Sequence, residues 1–366
     1  MLAKHLARSV RGVDWSLWDG SNDGTATAFS DGVASNVSAC SLDSDTVFVA
    51  YCDTADSNVG KACLLSISGK TVTCSDPVVF YGDAVANVSV CKVSSDRAAI
   101  CFENTLNDDG MVIVAKVISD AIYFGGCTVF SGTISDVDCC LLDTDKLLIV
   151  YGANGVVVSL DGINVDAVSA AQNLAGGAAV SYFSVCSLDT DKAIYAFEKN
   201  LDSKGYANIL EVSGTTITDN GLYQFEAGET NYVSVEKLSS SVAVVSYKDV
   251  TNSNYGTACA LGVSGHVITP GTPVVFESAQ ATPYKRALAR IDASTMMVCY
   301  QDRDNSMYGT GCVLSISGTT ITAGTPAVFV SETFGGGSPV YLKLRYICQC
   351  YAGASYGNAI ILDGAA

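Results

Sequence analysis

Residues 256–276 read GTACALGVSGHVITPGTPVVF, and residues 309–329, 53 positions further on, read GTGCVLSISGTTITAGTPAVF. An internal repeat decides the fold before any other feature, because its period counts supersecondary units. Upstream of each stretch lies a second recurring element that ends in an aromatic residue. CSLDSDTVFVAY ends at Tyr51, CKVSSDRAAICF at Phe102, CLLDTDKLLIVY at Tyr151 and CSLDTDKAIYAF at Phe197. EKLSSSVAVVSY ends at Tyr247, ARIDASTMMVCY at Tyr300 and a degenerate LKLRYICQCY at Tyr351. Successive aromatics are 51, 49, 46, 50, 53 and 51 residues apart, which makes seven copies.

Each copy holds four strand-like runs. In the fifth, YVSVEKLS and VAVVSYKD alternate and are rich in Val, as half-buried strands should be. The turn between them reads LDSD or LDTD in other copies, where Asp bonds its own backbone. The polar loop VTNSNYG follows, then TACALGVSG, whose Ser-Gly supplies the positive φ of a tight hairpin, and HVITPGTPVVF is the fourth strand. No 3.6-residue period occurs inside a copy. Four antiparallel strands per unit of about 50 residues predict an all-β, seven-bladed β-propeller. The blades fall near 31–80, 81–130, 131–176, 177–225, 226–276, 277–329 and 330–366, the last completed by residues 13–30. In that segment SLWDGSNDGTATAF resembles the missing tail of a copy, so the N-terminal strand is expected to complete blade seven and leave no open sheet edge.

Composition bounds the function. With 20 Lys+Arg against 37 Asp+Glu the net charge is −17, which argues against nucleic acid as a partner, since a phosphate backbone needs clustered cations. No apolar run reaches the 18 residues of a spanning helix, so no transmembrane segment is expected, and MLAKHLARSVRG lacks the apolar core of a secretory signal. The fifteen Cys carry no zinc spacing. Cys40, Cys91, Cys140 and Cys186 share one repeat position, with Glu236 and Ala289 in other copies. Cys63, Cys259 and Cys312 share another, where Asn208 stands in the fourth copy. They read as free thiols packed in strands of a protein that folds in a reducing cytosol.

Residues able to carry chemistry are few. His5 and His266 are the only imidazoles, and neither sits beside a candidate nucleophile in the repeat. Most acids recur with the inner turn, and no carboxylate pair breaks the pattern as glycoside hydrolysis would require, so no enzyme is expected. In the loop between strands two and three, Asp302, Asp304 and Asn305 offer clustered oxygens suited to Ca²⁺ or, equally, to an Asx turn, and no other cofactor is expected. Tyr255, Tyr308 and Tyr356 precede Gly at the end of that loop. Projecting, they would form an aromatic arc for sugars or protein; turned inward, they pack at strand starts. The connections between copies vary most, and among them Tyr284, Lys285 and Arg286 form a basic-aromatic cluster. Asn36 and Asn87 begin two Asn-x-Ser triplets at one repeat position, which the repeat itself explains. In the first 12 residues Leu2, Leu6 and Val10 are spaced by four, with Arg8 and Arg11 beside them, as in a short amphipathic docking arm.

The repeat consensus, close to sLDsDk-vvaY-D--ns-yGta-vlsvSGttIt-GtpvvF, resembles the repeats of tail-fibre and surface proteins of bacteriophages and environmental bacteria over residues 13–366. The resemblance implies a non-enzymatic virion or surface component. Joined with the amphipathic arm and the lack of a signal, it leads to the reading of a virion protein assembled in the host cytoplasm and attached to neighbouring virion proteins through that arm. It would display its loops to a host surface receptor or glycan. Two other readings stay open: a bacterial lectin or glycan-active enzyme, and an intracellular protein-interaction scaffold.

Overall fold

The computed structural model describes residues 15, 18–21, 23–343 and 346–364. The chain is all-β and built of antiparallel sheets, and the helical turns are short, such as Ala175–Gly177. The docking arm with Leu2, Leu6, Arg8, Val10 and Arg11 lies outside the described residues.

The fifth copy shows why the repeat folds as it does. Val242–Asp249, bearing five fully buried residues (Ala243, Val244, Val245, Ser246 and Tyr247), pairs along its whole length with Tyr255–Ser264. Val267–Pro270 then returns along the upper half of that strand and Val274–Thr282 along its lower half, with Gly271–Pro273 between them. The fourth strand anticipated from sequence is therefore broken in two. In the first and fourth copies its second half does not end in a loop. Val78–Lys92 and Tyr223–Ser239 each run without interruption from the outer strand of one copy into the first strand of the next. Register irregularities, as between Lys204 and Gly205, let one strand leave its first partner and turn to its second. These two connections are strand because their backbone groups pair with both neighbouring copies, whereas residues 132–137, 174–179, 283–287 and 334–336 interrupt the others.

The hairpin turns obey the sequence signals. Gly69, Gly214, Gly265 and Gly318 all have φ between +60° and +63°, as the first position of a type II′ turn requires. The second copy lacks Gly and uses Ser119 and Asp120, both at positive φ. The inner Asp turns close on themselves, with Asp43 Oδ1 accepting from the Asp45 N–H at 2.8 Å.

The core lies between copies. Val49, Tyr51, Cys63 and Leu65 of the first pack against Val340, Cys348, Cys350 and Ile361 of the seventh, and comparable clusters join the others in turn. Within copies, a Phe of the outer strand lies against the Gly that is second in strand three. A Cβ at Gly256 would stand 2.4 Å from the Phe276 ring, and one at Gly60 the same distance from Phe80. Thr27–Ala28 pairs with Asn358 and Ala359, so the N-terminal segment extends the sheet formed by the C-terminal strands, where the sequence placed it. Fourteen of the fifteen free cysteines are buried or half-buried, and only Cys127 is exposed.

Candidate functional site

The first strands of the seven copies bring one short column of residues to a common centre. Aligned through their pairing with strand two, Ser38, Ser89, Asp138, Ser184, Ser234, Ala287 and Ser338 occupy the same position. These side chains tie neighbouring copies together. Ser38 Oγ accepts from the Val90 N–H at 2.9 Å, Ser234 Oγ from the Ala287 N–H at 3.0 Å, and Ser338 Oγ donates to the Ala39 carbonyl at 3.3 Å. Asp138 gathers more partners: Ser89 Oγ and Ser184 Oγ both donate to it, as does the Val185 N–H at 2.9 Å.

One position earlier, five copies carry Val or Phe, the seventh has Gly337, and in the sixth Arg286 stands there. Arg286 comes from the sixth copy and reaches the third, where Nη2 meets Asp138 Oδ1 at 2.7 Å and Nε meets the same oxygen at 3.1 Å. Nη2 also donates to the Cys139 carbonyl and to Ser89 Oγ, both at 2.8 Å. Burial pushes the Asp138 carboxyl up, but the charges of Arg286 and Lys285 with the Val185 and Ser89 hydrogen bonds outweigh it and hold Asp138 below the usual range. Arg286 borders two cavities, one on either side, and each is lined by residues of all seven copies.

The first cavity, about 420 Å³, opens on the face that carries the loops between strands two and three. Its wall is made where the first strands bulge. Asn36, Asn87, Tyr182 and Tyr232 stand at one repeat position with φ between +47° and +55°, and Gly336 at the same position has φ +96°. A tyrosine at positive φ is uncommon, and bulges that re-aim a side chain cluster near functional sites. Here they place three rings in a row: Tyr182 and Tyr232 have centroids 5.0 Å apart, Tyr232 and Tyr284 5.7 Å. Gly336 admits the third ring, since a Cβ there would lie 2.8 Å from Tyr284. Beside them Lys285 Nζ pairs with Asp136 at 2.5 Å and sits 4.6 Å over the Phe183 ring, while Asn87 Nδ2 donates to Glu103 at 2.5 Å.

The second cavity, about 470 Å³, opens on the face of the Asp turns and Ser-Gly hairpins. The shared Cys position lines it: Cys40, Cys91, Cys140 and Cys186, then Glu236, Ala289 and Val340. Burial pushes the Cys40 thiol up to about 12 and raises Cys140 and Cys186 as well, which leaves these thiols protonated and weakly nucleophilic. Burial also raises the Glu236 carboxyl to about 7, against the pull of Arg286.

No family model matches the sequence, and no curated protein is similar to it. Solved structures share its fold. A protein of unknown function from Dyadobacter fermentans DSM 18053 superposes with a TM-score of 0.54 at 12% identity, over 93% of this chain and 97% of that one. A protein from Lactobacillus plantarum gives 0.56 at 14% identity, over 80% and 86%. At such identities the likeness is one of all-β architecture alone.

Of the residues singled out from sequence, Tyr284, Lys285 and Arg286 come together at the loop-side cavity. Tyr255 and Tyr308 open strand three, half-buried and paired with Asp249 and Asp302, and Tyr356 is 46% exposed; none of them lines either cavity. Asp302 Oδ1 accepts from the Asn305 N–H at 3.2 Å, an Asx turn, while Asp304 Oδ2 takes the Gln280 N–H at 3.0 Å. Their oxygens thus serve different backbone groups, and among the described residues no set of three His, Cys, Asp or Glu is placed to hold a metal ion. His266 rests 3.5 Å from Glu211. Sequence reasoning missed Tyr182, Tyr232, Asp136 and Asp138. The signal was available, because Tyr182 and Tyr232 occupy the same repeat position as Asn36 and Asn87.

Proposed function

We propose that the chain is a non-enzymatic, seven-bladed β-propeller that recognises a surface glycan or receptor through its loop-side cavity, as the attachment component of a virion. The propeller reading is supported by seven sequence copies whose first strands line one centre, and by the pairing of Thr27–Ala28 with the last strand. The virion setting rests on the resemblance to tail-fibre repeats, and the N-terminal arm is the proposed attachment to neighbouring virion proteins.

The observation that carries recognition is the ladder Tyr182–Tyr232–Tyr284 in a cavity of about 420 Å³ beside Asn and charged groups. Sugars offer apolar C–H faces for rings and hydroxyls for amides and charges, and pockets of this size hold small ligands. The carboxylates at hand support binding over hydrolysis: Asp136 and Asp138 are both held in ion pairs, not poised as an acid and a base. A glycan array run with and without EDTA tests the reading. A narrow set of sugars bound by the native protein and lost in Tyr232→Ala would support it. Retention by that variant, or turnover of a bound glycan, would refute it, and loss in EDTA would bring Asp302, Asp304 and Asn305 back as a Ca²⁺ site.

A further inference from the structure

The second cavity has a chemistry that the glycan reading leaves unused. The chain carries 20 basic residues against 37 acidic ones, yet four of the basic residues, Lys92, Lys237, Arg286 and Arg290, line this one space of about 470 Å³, where Glu236 is the only carboxylate. Lys92, Lys237 and Arg290 share one repeat position, immediately after the thiol ring, in the second, fifth and sixth copies. None of these three forms an ion pair with a carboxylate among the described residues, whereas Lys61, Arg97 and Lys285 elsewhere do. Lys237 Nζ donates only to the Leu188 carbonyl, and Arg290 Nε to the Asp292 carbonyl at 3.2 Å. At the floor, Arg286 uses Nε and Nη2 on its partners, which leaves Nη1 uncommitted among the described residues. The charges converge in space as well as in register: those of Arg286 and Arg290 both act on Glu236, that of Lys92 on Cys40 and that of Lys237 on Cys186.

We propose that the turn-side cavity binds a compact multivalent oxyanion, a phosphate ester or polycarboxylate, held between the rim cations Lys92, Lys237 and Arg290 and the floor cation Arg286. The recessed walls strengthen such attraction relative to open solvent. Glu236 is the opposing charge, so removing it should tighten binding. This site is independent of the aromatic cavity on the other face.

The test is isothermal titration of the full chain at pH 8 and constant ionic strength, with pyrophosphate and with citrate as probes. Saturable binding of either supports the site, and the tighter probe identifies the ligand chemistry. The variant Lys92→Gln/Arg290→Gln, changed only at exposed positions, should bind at least about 10-fold more weakly, the loss of roughly 1.4 kcal/mol. Glu236→Gln should bind several-fold more tightly. No saturable binding by the native protein, or affinities unmoved in both variants, would overturn the proposal. The same Lys/Arg variant on the glycan array should behave as the native protein, so either site can fail without the other.

Discussion

The two cavities are made by the same seven strands, a few residues apart, and they differ in almost every chemical respect. On the loop side the strands bulge, and five of the seven copies hold the bulge residue at positive φ, which turns Asn and Tyr side chains toward the centre. On the turn side the same strands stay paired with strand two through the cavity lining and shift register just beyond it, as at Lys237/Ser239, presenting Cys, Glu and cations at two successive positions instead. A local backbone irregularity, repeated by symmetry, therefore separates a stacking surface from a charged one. Between them Arg286 and Asp138 replace the Val and Ser that most other copies carry, and the pair stands as a partition.

Breaking the partition should have the largest effect. Asp138 is fully buried, so Arg286→Met leaves an unpaired carboxylate and should cost about 3–5 kcal/mol in chemical unfolding. The double variant Asp138→Ser/Arg286→Val restores the residues of the other copies and should recover most of that loss. If the double variant is as unstable as the single one, the pair is not a decoration on the repeat but part of what assembles it.

The loop-side mouth is sharpened by removing one ring. Tyr232→Ala deletes the centre of the ladder, whose contacts lie at 5.0 and 5.7 Å, and should weaken glycan binding by about 1–2 kcal/mol, near tenfold. Tyr255→Ala, outside the cavity, should leave array binding unchanged, and an equal loss there would move recognition outward to the loops. Asn36 and Asn87 share the ladder's repeat position, so reversing Tyr182→Asn tests whether the wall needs the ring or only the turn of the bulge. The ring reading expects reduced binding with native stability.

The smallest effect lies at the turn-side mouth. The folded Glu236 titrates near 7, above its unfolded value of 4.5, so the folded state keeps a proton that the unfolded chain has lost. Its contribution is full below pH 4.5 and declines as pH rises to 7, with stability falling over that window. Glu236→Gln should therefore gain stability relative to the native protein at pH 8 but not at pH 4.5. After discounting for solvent screening at a half-buried group, the gain is about 1 kcal/mol. Thermal melts at the two pH values read it directly, and an equal shift at both would assign the effect to packing.

Much of this architecture was legible because the repeat states it seven times. The all-β class, the positive φ at Gly265 and Gly318, and the destination of residues 27–28 all followed from copies read against one another. The continuous strands Val78–Lys92 and Tyr223–Ser239 were not legible, since polar, variable residues such as those of EAGETNYV read as loop when their backbone pairing to two neighbours is unseen. Tyr284, Lys285 and Arg286 stood out as a local cluster and do reach the cavity. Tyr182 and Tyr232 did not, because single tyrosines in strands read as packing, and the bulge that re-aims them is a property of the backbone. Asp138 read as one more acid until Arg286, 148 residues away, was found against it.

By itself the sequence determined the unit: its length, its strand-forming runs, its turns and its apolar alternation, all of which depend on contacts within about 50 residues. Only the tertiary structure decided what the units do together. Bringing seven equivalent columns to one centre converts small departures from the repeat into neighbouring groups a few ångströms apart, and the chemistry of both cavities arises from those departures.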